Sequence, residues 1–105
     1  MTDALSDLAA TIASRRGADP ASSYAAKLLL GGAPLAARKL GEEAVETVVA
    51  ALSGSDAELT GEAADLIFHL LVLLESRDVP LSAVINELRR REGVSGVAEK
   101  AARES

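Results

Sequence analysis

The sequence contains no cysteine and no tryptophan, and only one tyrosine, one phenylalanine and one histidine. Without cysteine there is no disulfide framework and no thiolate metal site. Tyr24 and Phe68 are too few for a platform that stacks successive bases. Positive charge is also in short supply: 11 Lys and Arg against 16 Asp and Glu give a net charge of −5. A general nucleic-acid binder needs a basic face to displace counterions, so that class is disfavoured. Long hydrophobic runs are missing too. The run LIFHLLVLL, Leu66 to Leu74, falls far short of the ~20 residues of a membrane span and contains His69. The opening MTDALSDLAATIASRRG is acidic early and has no apolar signal core. A cytoplasmic protein is expected, with no membrane partner.

What is present points to helices. The composition is 49% hydrophobic and 26% charged over 105 residues, which fits one globular domain, 1–105. A chain of this size buries roughly 60–70% of its unfolded surface, so self-association would help it. Ala, Leu, Glu and Arg dominate, and no segment sustains strand alternation. Leu5, Leu8 and Ile12 form a stripe on a helix from Asp3 to Arg16, stopped at Gly17. Ser22 or Ser23 caps a short helix to Leu30, which Gly31-Gly32 ends. Pro34 suits the first turn of a long helix reaching Ser53. A second long helix runs from about Asp56 to Arg77. A further one, with Ser82 as its candidate cap, runs to about Glu92. The tail, 93–105, is expected to be weakly anchored. Short links between long helices imply antiparallel neighbours. Leu66 to Leu74 is apolar nearly all round and needs neighbours on every side. The expected fold is therefore all-α: an antiparallel helical bundle completed by homodimerisation.

The chemistry lies in KLGEEAVETVVAALSGSDAELTGEAADLIFHLLVLL. Glu43 and Glu46 are three residues apart, as are Glu62 and Asp65, so each pair shares a helix face. Antiparallel packing about a turn near Gly54 would bring the pairs together. Four acidic groups this close repel, and partial burial adds a desolvation cost. A divalent cation turns that repulsion into ligation, and all-oxygen donors favour Mg²⁺, with Mn²⁺ as the alternative. Ordinary solvated glutamates are the competing reading, and Lys39–Glu43 has helix-pair spacing. Two features favour a metal: no Lys or Arg lies between Gly61 and Leu74, and no cation follows Glu46 before Arg77. A di-iron bundle would want Glu-x-x-His pairs. The residue three before His69 is Leu66, so that site is discounted.

The motifs EEAVE and EAAD resemble the E-E-x-x-E … E-x-x-D pattern of the all-α NTP pyrophosphatase superfamily. With SYAAKLL, ARKLGEEAVE and EAADLIFHLLVLL, the chain from about Leu5 to Arg91 is similar to the phosphoribosyl-ATP pyrophosphatase family of histidine biosynthesis. Ala25 stands where that family often has Thr, Leu40 where Val is usual and Phe68 where Tyr is frequent. The resemblance implies hydrolysis of 1-(5-phosphoribosyl)-ATP to 1-(5-phosphoribosyl)-AMP and pyrophosphate. It implies that Glu43, Glu46, Glu62 and Asp65 hold Mg²⁺, while Glu42 is a ligand through water or the base that orients the attacking water. It makes Lys27 and Lys39 phosphate contacts, although both also fit ordinary surface lysines. A related housecleaning (d)NTP pyrophosphatase and a non-catalytic helical dimerisation module are the alternatives. The family's often-fused cyclohydrolase has no room in this length, so a stand-alone form is expected.

Other polar positions carry two readings each. Ser23 is a helix cap, and a cap also places backbone N–H groups where an anion can bind. Tyr24 packs in the core or stacks on a base. His69 is either a satisfied core histidine or a group that orients Asp65 one turn away. Arg89 to Arg91 offset the negative end of a helix dipole, or touch a phosphoribosyl group.

Overall fold

A computed structural model describes residues 3–92, together with Lys100 and Arg103. The expectation for the tail, 93–105, lies almost wholly outside the described residues. Within them the chain forms four helices and no strand: α1 Ala4–Ser14, α2 Tyr24–Ser53, α3 Asp56–Ser76 and α4 Leu81–Arg91. The starts follow local chemistry. Asp3, Ser23 and Ser55 each accept a backbone N–H, from Ser6, Ala26 and Glu58 respectively. Each bond satisfies one of the donors that a helix start leaves without an intrahelical partner.

The short helix and the long one expected on either side of Gly31-Gly32 are a single element with a sharp break. Gly32 has φ 74° and ψ −172°, a region that residues with a Cβ scarcely populate. Helix geometry resumes at once, with Pro34 in the first turn after the break, where its missing N–H costs nothing. The last helix departs from expectation. Ser82 does not cap it: α4 begins at Leu81 with Pro80 at the cap position and no side-chain cap bond. Proline's fixed φ, here −73°, already leads the chain into the helix, and this places Ser82 inside the first turn.

α2 and α3 form an antiparallel hairpin across the Gly54–Ser55 link and share the most extensive interface; α1 packs on α3. The core where these helices meet is Ile12, Leu28, Ala36, Leu71 and Val72, flanked by Leu8, Leu35, Phe68 and Leu74. At the far end of α3, Val79 N–H donates to the Leu74 carbonyl at 2.9 Å and Asp78 N–H to the Glu75 carbonyl at 3.1 Å. This is a Schellman closure, with Asp78 taking the left-handed position at φ 57°. Arg16 anchors α1 to that closure. Its guanidinium reaches Glu75 Oε1 at 2.9 Å and Asp78 Oδ1 at 2.8 Å, and also donates to the Glu75 carbonyl.

The hairpin leaves apolar surface uncovered. Val45, Val48, Val49 and Leu52 of α2 are 63, 58, 54 and 83% exposed. On α3, Ile67 and Leu70 also remain partly open, within the stretch that the sequence marks as apolar on all sides. No helix among the described residues is long and apolar enough to cross a membrane.

Candidate metal centre

The α2–α3 hairpin sets the acidic residues opposite one another. Oxygens of Glu43 on α2 and of Glu62 and Asp65 on α3 all lie within 4.8 Å of one another. The backbone is pinned at this level by Thr47. Its Oγ1 lies 2.8 Å from the Glu43 carbonyl in its own helix and 3.2 Å from the Glu62 carbonyl across the interface. One hydroxyl proton is shared between two acceptors on facing helices, which fixes their separation beside the carboxylates. Thr47 was not singled out from sequence. A threonine four residues after a glutamate is unremarkable, and its cross-helix partner is 15 positions away.

Glu43 Oε2 and Glu62 Oε2 are buried and have no hydrogen-bond partner. Unpaired buried carboxylate oxygens are costly, because water's hydrogen bonds are lost and nothing replaces them. Burial accordingly raises the Glu43 carboxyl above its usual range, and the neighbouring Glu46 carboxylate raises it further. Glu62 is raised for the same reasons in the same order: burial first, then Glu46. Glu46 therefore stands next to both, on the exposed side of the cluster, although its oxygens are outside the tight group of three. Among the described residues no lysine or arginine pairs with Glu43, Glu62 or Asp65. An open cleft of about 490 Å³ extends from Glu46, Glu62 and Asp65 towards Glu58 and Gly54 at the hairpin turn. Two orphaned buried oxygens, three converging acidic side chains and no local cation suit a hard divalent ion.

The remaining candidates fall into two groups. Glu42 is exposed on the outer face of α2, where its Oε2 meets Lys39 Nζ at 3.4 Å. The lysine pair is thus Lys39–Glu42 and not the expected Lys39–Glu43. Glu43 is turned inwards to α3, where its Oε2 is buried. Nearer the start of α2, Ser23 makes its cap bond to Ala26 N–H at 3.1 Å, and Lys27 is exposed one turn into the helix. His69 is buried. Its Nδ1 is 2.7 Å from the Asp65 carbonyl oxygen and its Nε2 is 3.0 Å from the Tyr24 hydroxyl. It therefore touches the backbone of Asp65, in place of the carboxylate that the sequence suggested. Arg90 and Arg91 engage Glu87 within α4 and hold its carboxyl down at about 2.

Fold and site together define an all-helical protein with an acidic, cation-receptive cleft between antiparallel helices. Comparison with known proteins narrows this. The family described as Phosphoribosyl-ATP pyrophosphohydrolase matches residues 5–92. The chain is 65% identical over 99 residues to the phosphoribosyl-ATP pyrophosphatase of Erythrobacter litoralis, covering 94% of this chain and 95% of that one. It is 60% identical over 103 residues to that of Rhizorhabdus wittichii, covering 98 and 97% of the two chains. Against that of Novosphingobium aromaticivorans it is 61% identical over 99 residues, covering 94 and 92%. The chain belongs to the phosphoribosyl-ATP pyrophosphohydrolase family, and it is an enzyme of the hydrolase class. The non-catalytic dimerisation module is thereby set aside.

Proposed function

We propose that this enzyme hydrolyses 1-(5-phosphoribosyl)-ATP to 1-(5-phosphoribosyl)-AMP and pyrophosphate in a Mg²⁺-dependent reaction, the second step of histidine biosynthesis. The observation that carries the reading is the convergence of Glu43, Glu62 and Asp65, with two orphaned buried oxygens, in a member of this family. Glu43, Glu62 and Asp65 hold the ion, and Glu46 closes the set from the exposed side. When bound, Mg²⁺ neutralises phosphate oxygens and supplies charge stabilisation as the pyrophosphate departs, with Mn²⁺ able to substitute.

The protein's own groups do the rest. Thr47 holds the two helices at the separation the carboxylates need. Glu42, exposed one position before the cluster, accepts a proton from the attacking water or orients it. Its partner Lys39 contacts phosphate, and Lys27 does the same from the start of α2. Ser23 orders the first turn of α2, whose free N–H groups favour an anion.

The working protein is a homodimer. The exposed valines of α2, with Leu52, Ile67 and Leu70, form an apolar surface that a second copy would cover. The compartment is the cytoplasm, and nucleic acid and membrane are not partners.

The deciding experiment is a nucleotide panel with metal titration, read as pyrophosphate release. Phosphoribosyl-ATP should be turned over in Mg²⁺ and not in excess chelator, with dUTP, dCTP and ATP far slower. Preferred turnover of a deoxynucleotide would instead assign a housecleaning role.

A further inference from the structure

Tyr24 is the only tyrosine in a chain without tryptophan, and it is held in an unusual way. Its ring lies over Phe68, with centroids 6.0 Å apart and planes at 18°. His69 meets both rings edge-on, at 5.7 Å from Tyr24 and 5.2 Å from Phe68. A carbonyl oxygen can only accept, so His69 Nδ1 carries a proton and donates it to Asp65. Its Nε2 pairs with the Tyr24 hydroxyl. Both bonds form around an imidazole that is only 5% exposed. Yet Tyr24, fixed by its hydroxyl and by one face, keeps 49% of its own surface exposed. A phenylalanine would fill the ring contacts but leave Nε2 of the buried imidazole without a partner, so the hydroxyl is what ties this half-exposed ring to His69. The anchor ends on the backbone of Asp65, so the ring shares a frame with the acidic cluster.

We infer that Tyr24 is a specificity-determining contact that stacks on the purine of the substrate, with His69 as the positioning residue that fixes its ring. The inference rests on the function proposed above. A polyphosphate at the acidic cluster leaves its nucleoside within reach of a ring tied one helical turn away. The purine of phosphoribosyl-ATP is alkylated at N1. That substitution makes the base readily cationic, and the electron-rich face of a phenol attracts a cationic ring more than neutral adenine. Tyr24 thus separates an N1-substituted adenine nucleotide from ATP. The phosphate site cannot make this distinction, because the two triphosphates are alike.

Proton NMR of the full chain tests this directly, since one tyrosine gives one assignable set of ring resonances. The probes are AMP, 1-methyladenosine 5′-monophosphate and ribose 5-phosphate. Stacking should move the Tyr24 ring protons upfield with both adenine probes, with several-fold tighter binding of the methylated one, and leave them unmoved by ribose 5-phosphate. In kinetics, Tyr24→Leu should raise KM for phosphoribosyl-ATP about tenfold while kcat changes less than about threefold. Tyr24→Phe should raise KM by less, because the ring remains. His69→Gln should raise KM as the ring loosens, with circular dichroism unchanged. The inference is overturned if no probe moves the Tyr24 resonances while phosphoribosyl-ATP is still hydrolysed. Equal affinities for AMP and its 1-methyl derivative, or an unchanged KM in Tyr24→Leu, overturn it as well. Absence of turnover with phosphoribosyl-ATP would count against the proposed function, whereas the ring shifts are scored separately from turnover.

Discussion

Thr47 on α2 reaches across the hairpin to the Glu62 carbonyl on α3, 3.2 Å away, while staying bonded to the Glu43 carbonyl at 2.8 Å. Two of the three clustered carboxylates are thus attached to backbone positions that a single hydroxyl holds together. The charges repel one another, so something neutral and short must keep their helices in place when no cation is bound. Thr47 is in the right place to do so.

Thr47→Val tests that role, since it keeps the shape and removes the hydroxyl. A net hydrogen bond contributes about 1 kcal/mol, so a loss of that order is expected in urea unfolding. Mg²⁺ affinity should fall roughly tenfold, the lower end for groups that orient metal ligands, as judged by calorimetric titration. Thr47→Ser should restore most of both.

Mg²⁺ should stabilise the folded chain. A ligand at 100 times its dissociation constant adds about 2.7 kcal/mol if it binds only the native state. Thermal melts with and without MgCl₂ measure this. An unchanged Tm over a wide magnesium range would remove the metal site from consideration.

Glu43→Gln and Asp65→Asn should lower kcat by about two to four orders of magnitude through weakened electrostatic stabilisation. Far-UV circular dichroism should stay near that of the parent, because neither carboxylate supports a helix cap. Equal activity with the Glu43→Gln chain would contradict the assignment.

The pH dependence of the metal-free protein has a definite sign. Burial and the adjacent Glu46 raise the folded-state pKa of Glu62 above its unfolded value. The folded form then binds protons more readily, so this group favours folding below about pH 4.5 and loses that contribution as pH rises through the raised value. Glu62→Gln cannot ionise. In chelator the variant should melt above the parent at pH 7, and the gap should close as pH falls towards 4.5. Added Mg²⁺ should stabilise the parent and not the variant.

Gly32→Ala probes the break in α2. A Cβ there would meet nothing closer than Pro34 Cδ at 3.8 Å, so space is available and only the backbone conformation objects. Holding alanine at φ 74° should cost on the order of 1–3 kcal/mol in denaturant unfolding.

Much of this molecule could be read along the chain because its determinants are local. Ser23 as one of two candidate caps, Gly54 at the hairpin turn and the end of α3 near Arg77 follow from which side chains satisfy a helix end or tolerate a turn. The pairing of Glu43 with Glu62 and Asp65 was also legible, since a two-residue link forces adjacent helices to run back on each other. Ser82 misled because a proline two residues earlier had already set the helix entry. The Lys39 pairing misled because spacing cannot say which glutamate turns inwards.

The sequence by itself determined helix positions, the antiparallel hairpin and the acidic faces, since each depends on residues within about a turn of one another or on a short link. The tertiary structure alone decided which oxygens are buried without partners, that Thr47 bridges the two helices, and that Tyr24 is tied through His69 to Asp65. Those relations join residues 15 or 45 positions apart. Their geometry depends on how helices rotate about their axes when the core packs, and no local propensity encodes that rotation.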